Sequence, residues 1–364
     1  MPRLYDRSRV TTDWRCKRRR YLNYEHNGTG ITSGTAAYEL FFGTVVHDAL
    51  ATIANFHIRD GVVPITDICK AAYDQIHDTL LEQLGNETYA TEQGWLIRGL
   101  IAGFYQYRWP RLLELYPTVI VVEQEVLWEN FMVKPDLIMQ SAEGTLVYIE
   151  YKTTGSNNEK WINSWETNPQ LHVYMKAIKE SLKLDVDVAV VVPLYKGSNY
   201  KGIQNSPFCY GYMRPGQPPF YEADISYSYK AGYKKHPVYT LTDNWLEWVD
   251  NMSDDLLAEQ FFVVPPVYLN ETIANNFFRQ AALREGEIDM ALKLLRESPP
   301  EHSEGIMDAF FPQNMEACLP SFGSSCPYAD ICVHGASPDD PLIWQPRQPH
   351  HGPEIEQRTG EQVV

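Results

Sequence analysis

The chain switches between two hydrophobic rhythms. Between residues 35 and 58, Leu40, Phe41, Val45, Val46, Leu50 and Ile53 recur at helical spacing and predict an amphipathic helix carrying His47. Residues 66–84 and 91–116 predict two further helices, the last stopped by Pro117. From Val119 the period shortens. Residues 119–128, 131–139 and 145–152 predict strands rich in β-branched and aromatic side chains, separated by turns at Glu129-Asn130 and Ser141-Ala142-Glu143-Gly144. That order describes an antiparallel meander. A polar stretch then leads to a helix over 169–182, with Pro169 at its first position, and to a wholly apolar strand over 186–194. Residues 208–213 and 220–227 predict strands in a Gly-, Pro- and Tyr-rich region, and 244–257 and 272–296 predict helices stopped by Pro299-Pro300.

The expected fold class is therefore α/β: a mixed central sheet flanked by helices, with a helical region before it and a helical, cysteine-bearing segment after it. Residues 1–336 are expected to form one unit: a helical part at 35–117, a core at 118–240 and a closing segment at 241–336. The Pro- and His-rich stretch 337–364 is expected to be a mobile tail.

With 364 residues, 44% of them hydrophobic, the chain can bury a substantial core. No apolar run approaches the roughly 18 residues of a membrane span, and residues 1–20 lack the apolar centre of a secretory signal, so an intracellular, cytoplasmic protein is expected (in the host cytoplasm if phage-encoded). A net charge of −16 argues against nonspecific wrapping of nucleic acid but leaves room for a narrow basic track. The densest basic strip is Arg15, Lys17, Arg18, Arg19 and Arg20, interrupted by Cys16, and by itself it reads equally well as a solvated charge run.

The candidate chemistry lies on two successive strands. Lys134-Pro135-Asp136 is followed, across a short turn, by Glu150-Tyr151-Lys152, and side chains alternate along a strand. Glu150 and Lys152 therefore share a face, and hairpin pairing brings Asp136 beside them. Charges crowded among Leu146, Val147 and Ile149 are costly to bury unless a cation and a substrate justify them. Oxygen ligands of this kind suit Mg²⁺ or Mn²⁺, and a neighbouring lysine can orient an attacking water. Phosphodiester hydrolysis uses all of these parts.

These residues resemble the RecB-like branch of the PD-(D/E)xK nucleases. That family carries G-x-x-x-H on a helix before the sheet, where this chain has Gly43-Thr-Val-Val-His47. Its strand pair is matched by Lys134-Pro-Asp136 and Glu150-Tyr-Lys152-Thr153-Thr154, and its Q-x-x-x-Y helix by Gln170-Leu-His-Val-Tyr174. The resemblance covers residues 40–195 and implies a restriction-endonuclease-like core. It makes His47, Asp136 and Glu150 metal ligands, with the Tyr151 carbonyl completing the shell, and Lys152 the catalytic lysine. Gln170 and Tyr174 would line the site and touch DNA.

Cys16 and the trio Cys318, Cys326 and Cys332 resemble the cysteine staple of AddB and the CRISPR adaptation nucleases, which implies a 4Fe–4S cluster. The gap between Cys318 and Cys326 departs from that pattern, so zinc and free thiols stay open. Cys69 and Cys209 read as core residues, and His26, His334, His350 and His351 show no ligand spacing. If the staple forms, the basic strip beside Cys16 is held where it can grip phosphates and stack on unpaired bases. The relatives imply an exonuclease trimming single-stranded or resected DNA ends in recombination, repair or phage DNA metabolism. The chain carries no Walker A pattern, so any ATP-driven unwinding must come from a partner, and a helicase or a single-strand annealing protein is the expected one. Two other readings are a non-catalytic DNA-end scaffold and a zinc-stabilised interaction module.

Overall fold

Ahead of the first expected helix lie strand β1 (Tyr5–Asp6) and two short helices, α1 (Arg7–Arg15) and α2 (Lys17–Tyr24). The Asp6 carboxylate caps α1 by accepting from the Arg9 amide at 2.8 Å, and the Cys16 sulfur caps α2 by accepting from the Arg19 amide at 3.5 Å. The structure is a computed structural model that describes residues 4–33, 38–200, 203–206, 208, 245–250, 252–318, 326–349 and 351. The strands expected at 208–213 and 220–227 lie outside the described residues, apart from Phe208.

Strand β2 (Ile31–Ser33) precedes the helical layer: α3 (Tyr38–Asp60), α4 (Ile65–Leu84), α5 (Glu87–Gly103) and α6 (Trp109–Leu115). The α4–α5 turn is compact because Gly85 takes a left-handed conformation at φ 61° and Asn86 caps the next helix. The helix expected over 91–116 is interrupted by a π turn, Phe104–Arg108. Pro110 has no amide to donate back toward Gln106, and just before it the Trp109 amide donates to the Phe104 carbonyl across the wider turn.

Strands β3 (Thr118–Val122), β4 (Val126–Trp128), β5 (Phe131–Val133), β6 (Leu137–Gln140) and β7 (Leu146–Thr154) follow, but not as one meander. Glu123 adopts φ 49°, which breaks the ladder. The β4–β5 hairpin leaves for a small sheet ordered β1-β5-β4, and β3 pairs directly with β6. After the short helix α7 (Glu159–Asn163), helix α8 (Pro169–Leu182) carries the crossover to β8 (Val186–Tyr195), parallel to β7. The hairpin β9 (Ser198–Tyr200) and β10 (Ile203–Asn205) is followed by β11 (Val267–Tyr268). Strand β11 completes a mixed five-stranded sheet ordered β11-β8-β7-β6-β3.

The sheet separates two apolar layers. Val147, Ile149 and Tyr151 face the helices α3 to α5, together with Leu50, Ile53 and Phe104. Tyr148 and Ile138 face α8, against Leu171, Met175 and Ile178. A third layer packs the small sheet and α8 on the long helix α9 (Glu271–Glu297) through Phe131, Val173 and Phe277. The fold is the mixed α/β sheet with flanking helices that the hydrophobic pattern predicts.

Buried ion pairs tie the two ends of the chain together. Arg20 is fully buried between Glu25 and Glu285, and Arg284 on α9 meets Asp13 at 2.9 Å. Part of the stretch from Ser337 on packs against the rest of the chain. Strand β12 (Trp344–Pro346) pairs antiparallel with β2, Trp344 is buried against Tyr328, and Arg347 is buried over the Tyr24 ring. An aromatic and a cationic anchor hold a stretch whose Pro-rich composition reads as loose.

Candidate active site

The β6–β7 register decides how the carboxylates meet. Leu137 pairs with Ile149, so Asp136 stands opposite Glu150 at the mouth of the hairpin, and opposite residues share a face. Asp136 is 7% exposed and Glu150 is 1% exposed. Helix α3 brings His47 to the same place, its Nδ1 lying 3.1 Å from one Asp136 oxygen. The other Asp136 oxygen accepts from the Tyr151 amide at 2.7 Å.

A further acid that the sequence pattern did not single out joins them. Glu123 approaches His47 Nδ1 to 3.8 Å, and its own amide donates to the Asp136 carbonyl at 3.1 Å. Among the described residues, His47, Glu123 and Asp136 are the one group of three or more potential metal ligands lying within 4.8 Å of one another. The left-handed turn that ends β3 aims Glu123 inward. Its trace in the sequence is the Glu123-Gln124-Glu125 break in an otherwise apolar run, which the strand expected over 119–128 passes over. Lys134 pairs with Glu123 at 2.7 Å.

Glu150 lies outside that trio. It is held by the Lys152 ammonium, the Tyr148 hydroxyl and the Gln170 side-chain amide, the last at 2.5 Å. Gln170 is placed by the start of α8, where the Asn168 side chain accepts from its backbone amide at 3.0 Å. Tyr174, one turn further along, stacks on Tyr148 at 6.0 Å. Tyr151 presents its amide to the site while its ring packs by His47 and Phe104.

These contacts pull the acids apart in proton affinity. Burial, followed by the nearby Asp136 charge, raises Glu150 to about 7, with Lys152 and His47 opposing. Burial would also raise Asp136, but the His47 and Lys152 charges and the Tyr151 amide hold it below the usual carboxylate range. Burial would depress His47, yet the Asp136 carboxylate and the bond to Glu123 lift it to about 10. Divergent carboxylates beside an imidazole and an ammonium mark a site built for proton and cation chemistry rather than for stability.

A family model of the PD-(D/E)XK nuclease superfamily matches residues 7–333. The chain belongs to that superfamily. It is therefore a nuclease of a metal-dependent hydrolase family, and its donor set of one imidazole and clustered carboxylates fits a hard divalent cation. No curated protein matches the chain. No helix among the nuclease's described residues is long and apolar enough to cross a membrane.

The nuclease's cysteines meet where its two ends pack. Cys16, Cys318 and Cys326 are buried, Cys332 is half-buried, and all four are free thiols. The Cys326 amide donates to the Cys318 carbonyl at 3.0 Å, and burial raises the Cys318 thiol, with Cys326 and Cys16 adding to the shift. No three of these sulfurs lie within 4.8 Å of one another. Cys69 is buried in the α4 core, as expected, and Cys209 lies outside the described residues.

The basic strip needs correction. Arg20 is consumed between Glu25 and Glu285 and cannot reach DNA. Arg18 is bound to Asp308 at 2.7 Å and to the Phe311 carbonyl at 2.8 Å. Arg15 is exposed, and Lys17 and Arg19 are half-buried. Arg18 and Arg20 thus act as a clasp between α2 and the C-terminal part of the chain. Spacing alone does not reveal which arginines have acid partners hundreds of residues away.

Proposed function

We propose that this nuclease is a Mg²⁺- or Mn²⁺-dependent deoxyribonuclease that trims single-stranded or resected DNA ends exonucleolytically. The observation that carries the reading is the His47, Glu123 and Asp136 trio standing beside the Glu150 and Lys152 pair. His47, Glu123 and Asp136 would hold the cation, with Glu150 and the Tyr151 carbonyl as further donors. A bound divalent cation supplies Lewis acidity toward the scissile phosphate and lowers the pKa of water. Lys152, 28% exposed at its side chain, would orient the attacking water. Glu150 fixes that ammonium, and Gln170 and Tyr148 fix Glu150 in turn. Catalytic groups so supported lose little to reorganisation.

The choice of DNA ends, the role in recombination, repair or phage DNA metabolism, and the helicase or annealing partner rest on the resemblance to RecB-like enzymes. The test of end dependence is degradation of linear against circular single-stranded DNA with Mn²⁺. An exonuclease consumes the linear strand and spares the circle; equal cutting of both makes the protein an endonuclease. Binding of both without cutting favours the scaffold reading.

We also propose that Cys16, Cys318, Cys326 and Cys332 hold a 4Fe–4S cluster. What supports the reading is that the charges of Cys318, Cys16 and Cys326 all act on the Cys332 thiol, and that the three C-terminal cysteines pack in one cluster. Anaerobically purified protein should be brown and carry iron. A colourless protein with stoichiometric zinc would contradict this.

A further inference from the structure

A chain of net charge −16 has to meet nucleic-acid phosphates with local cations. Around the active site several of these are already committed. Lys152 is bound to Glu150, Lys134 to Glu123, and Arg9 to Asp6 and the Leu4 carbonyl. Arg7 is not. Its side chain makes no hydrogen bond or ion pair among the described residues, and its Nε is sealed from solvent without an acceptor.

The position of Arg7 matters as much as its lack of a partner. It opens α1 directly after the Asp6 cap, between Tyr5 and Val10, which pack with Val173, Tyr174 and Ala177 of α8 in one apolar layer. Tyr174 lies one turn of α8 beyond Gln170, which binds Glu150. A short path thus runs from the catalytic carboxylate along α8 to a half-buried guanidinium. The acids nearby have other partners. Asp6 takes Arg9 and lies 3.8 Å from His351, Asp136 takes His47 and the Tyr151 amide, and Glu150 takes Lys152, Gln170 and Tyr148. A half-buried guanidinium with no internal anion is costly unless one arrives from outside, and with Nε sealed its two terminal Nη groups are the donors left to meet phosphate oxygens.

We propose that Arg7 is a phosphate clamp that grips the DNA backbone phosphate next to the scissile one, with Tyr174 beneath it. The inference rests on the nuclease reading above and adds a binding residue that the motif pattern does not contain. It gives the protein's N-terminal helix a direct part in holding substrate, in place of the fully buried Arg20.

The test is the salt dependence of binding of a labelled oligothymidylate to the full-length chain with Mn²⁺, in a Lys152→Ala background that prevents cutting. Arg7→Gln should weaken binding about tenfold or more at low salt. It should also flatten the log–log salt slope by about 0.7, the share of one phosphate on a single strand. Arg7→Lys should keep most of the slope while losing part of the affinity, because a point charge replaces a fork. Thermal midpoint and Mn²⁺ affinity should match the parent, which separates a lost phosphate contact from a damaged fold. Unchanged affinity and slope in Arg7→Gln, with the unsubstituted protein cutting DNA normally, would overturn the clamp and leave the nuclease reading intact. If the unsubstituted protein neither binds nor cuts DNA, that reading falls and takes the clamp with it.

Discussion

Metal binding at this site should be coupled to release of a proton from His47. In the metal-free protein the imidazole titrates near 10, chiefly because the Asp136 carboxylate outweighs its burial. Its folded pKa lies above the ordinary value, so the charged pair with Asp136 is fully present below about 6.5 and is lost as pH rises through about 10. A cation needs the neutral imidazole, and at pH 7 only about one molecule in a thousand has it. Affinity for Mn²⁺ should therefore rise about tenfold per pH unit, or roughly thirtyfold between pH 7 and 8.5. Below pH 7 the dependence should steepen, because Glu150 then holds a proton as well. Calorimetry in buffers of differing ionisation enthalpy should find close to one proton released per cation near pH 8, and His47→Asn should abolish the release. Equal affinity at pH 7 and 8.5 with no net proton release would refute the electrostatic argument.

Further outcomes follow from single contacts. Glu123→Gln should lower Mn²⁺ affinity by about ten- to a hundredfold or more, with cleavage recovered at higher metal, as read by calorimetry and activity against Mn²⁺ concentration. Arg20→Ala leaves Glu25 and Glu285 buried without their cation and should cost about 3–5 kcal/mol in urea unfolding, against less than about 0.5 for exposed Arg15→Ala. Leu50→Ala, at a fully buried position of α3 behind His47, should cost about 2–5 kcal/mol in the same assay.

Much of this architecture is legible in the sequence because it depends on local periods. The apolar stripe of α3 places His47, and Pro169 with Asn168 starts the helix that carries Gln170 and Tyr174. A short turn after β6 sets the register that pairs Asp136 with Glu150. What stays hidden depends on backbone conformation or on partners far along the chain. A positive φ at Glu123 sends the next hairpin into another sheet and turns an apparent strand residue into a member of the ligand group. Arg18 and Arg20 read as a DNA track until Asp308 and Glu285 are seen to neutralise them. Trp344 and Arg347 anchor a Pro-rich stretch through contacts to Tyr328 and Tyr24 that composition does not announce.

The most direct measurement is cleavage of end-labelled single- and double-stranded DNA by the purified protein with Mg²⁺ or Mn²⁺, beside Lys152→Ala and Asp136→Ala. The account predicts metal-dependent cleavage by the unsubstituted chain, lost in both variants while their folds persist, with the fate of the label giving the polarity. Cleavage that survives both substitutions, or a metal-replete, folded protein that binds DNA and cuts nothing, would contradict it.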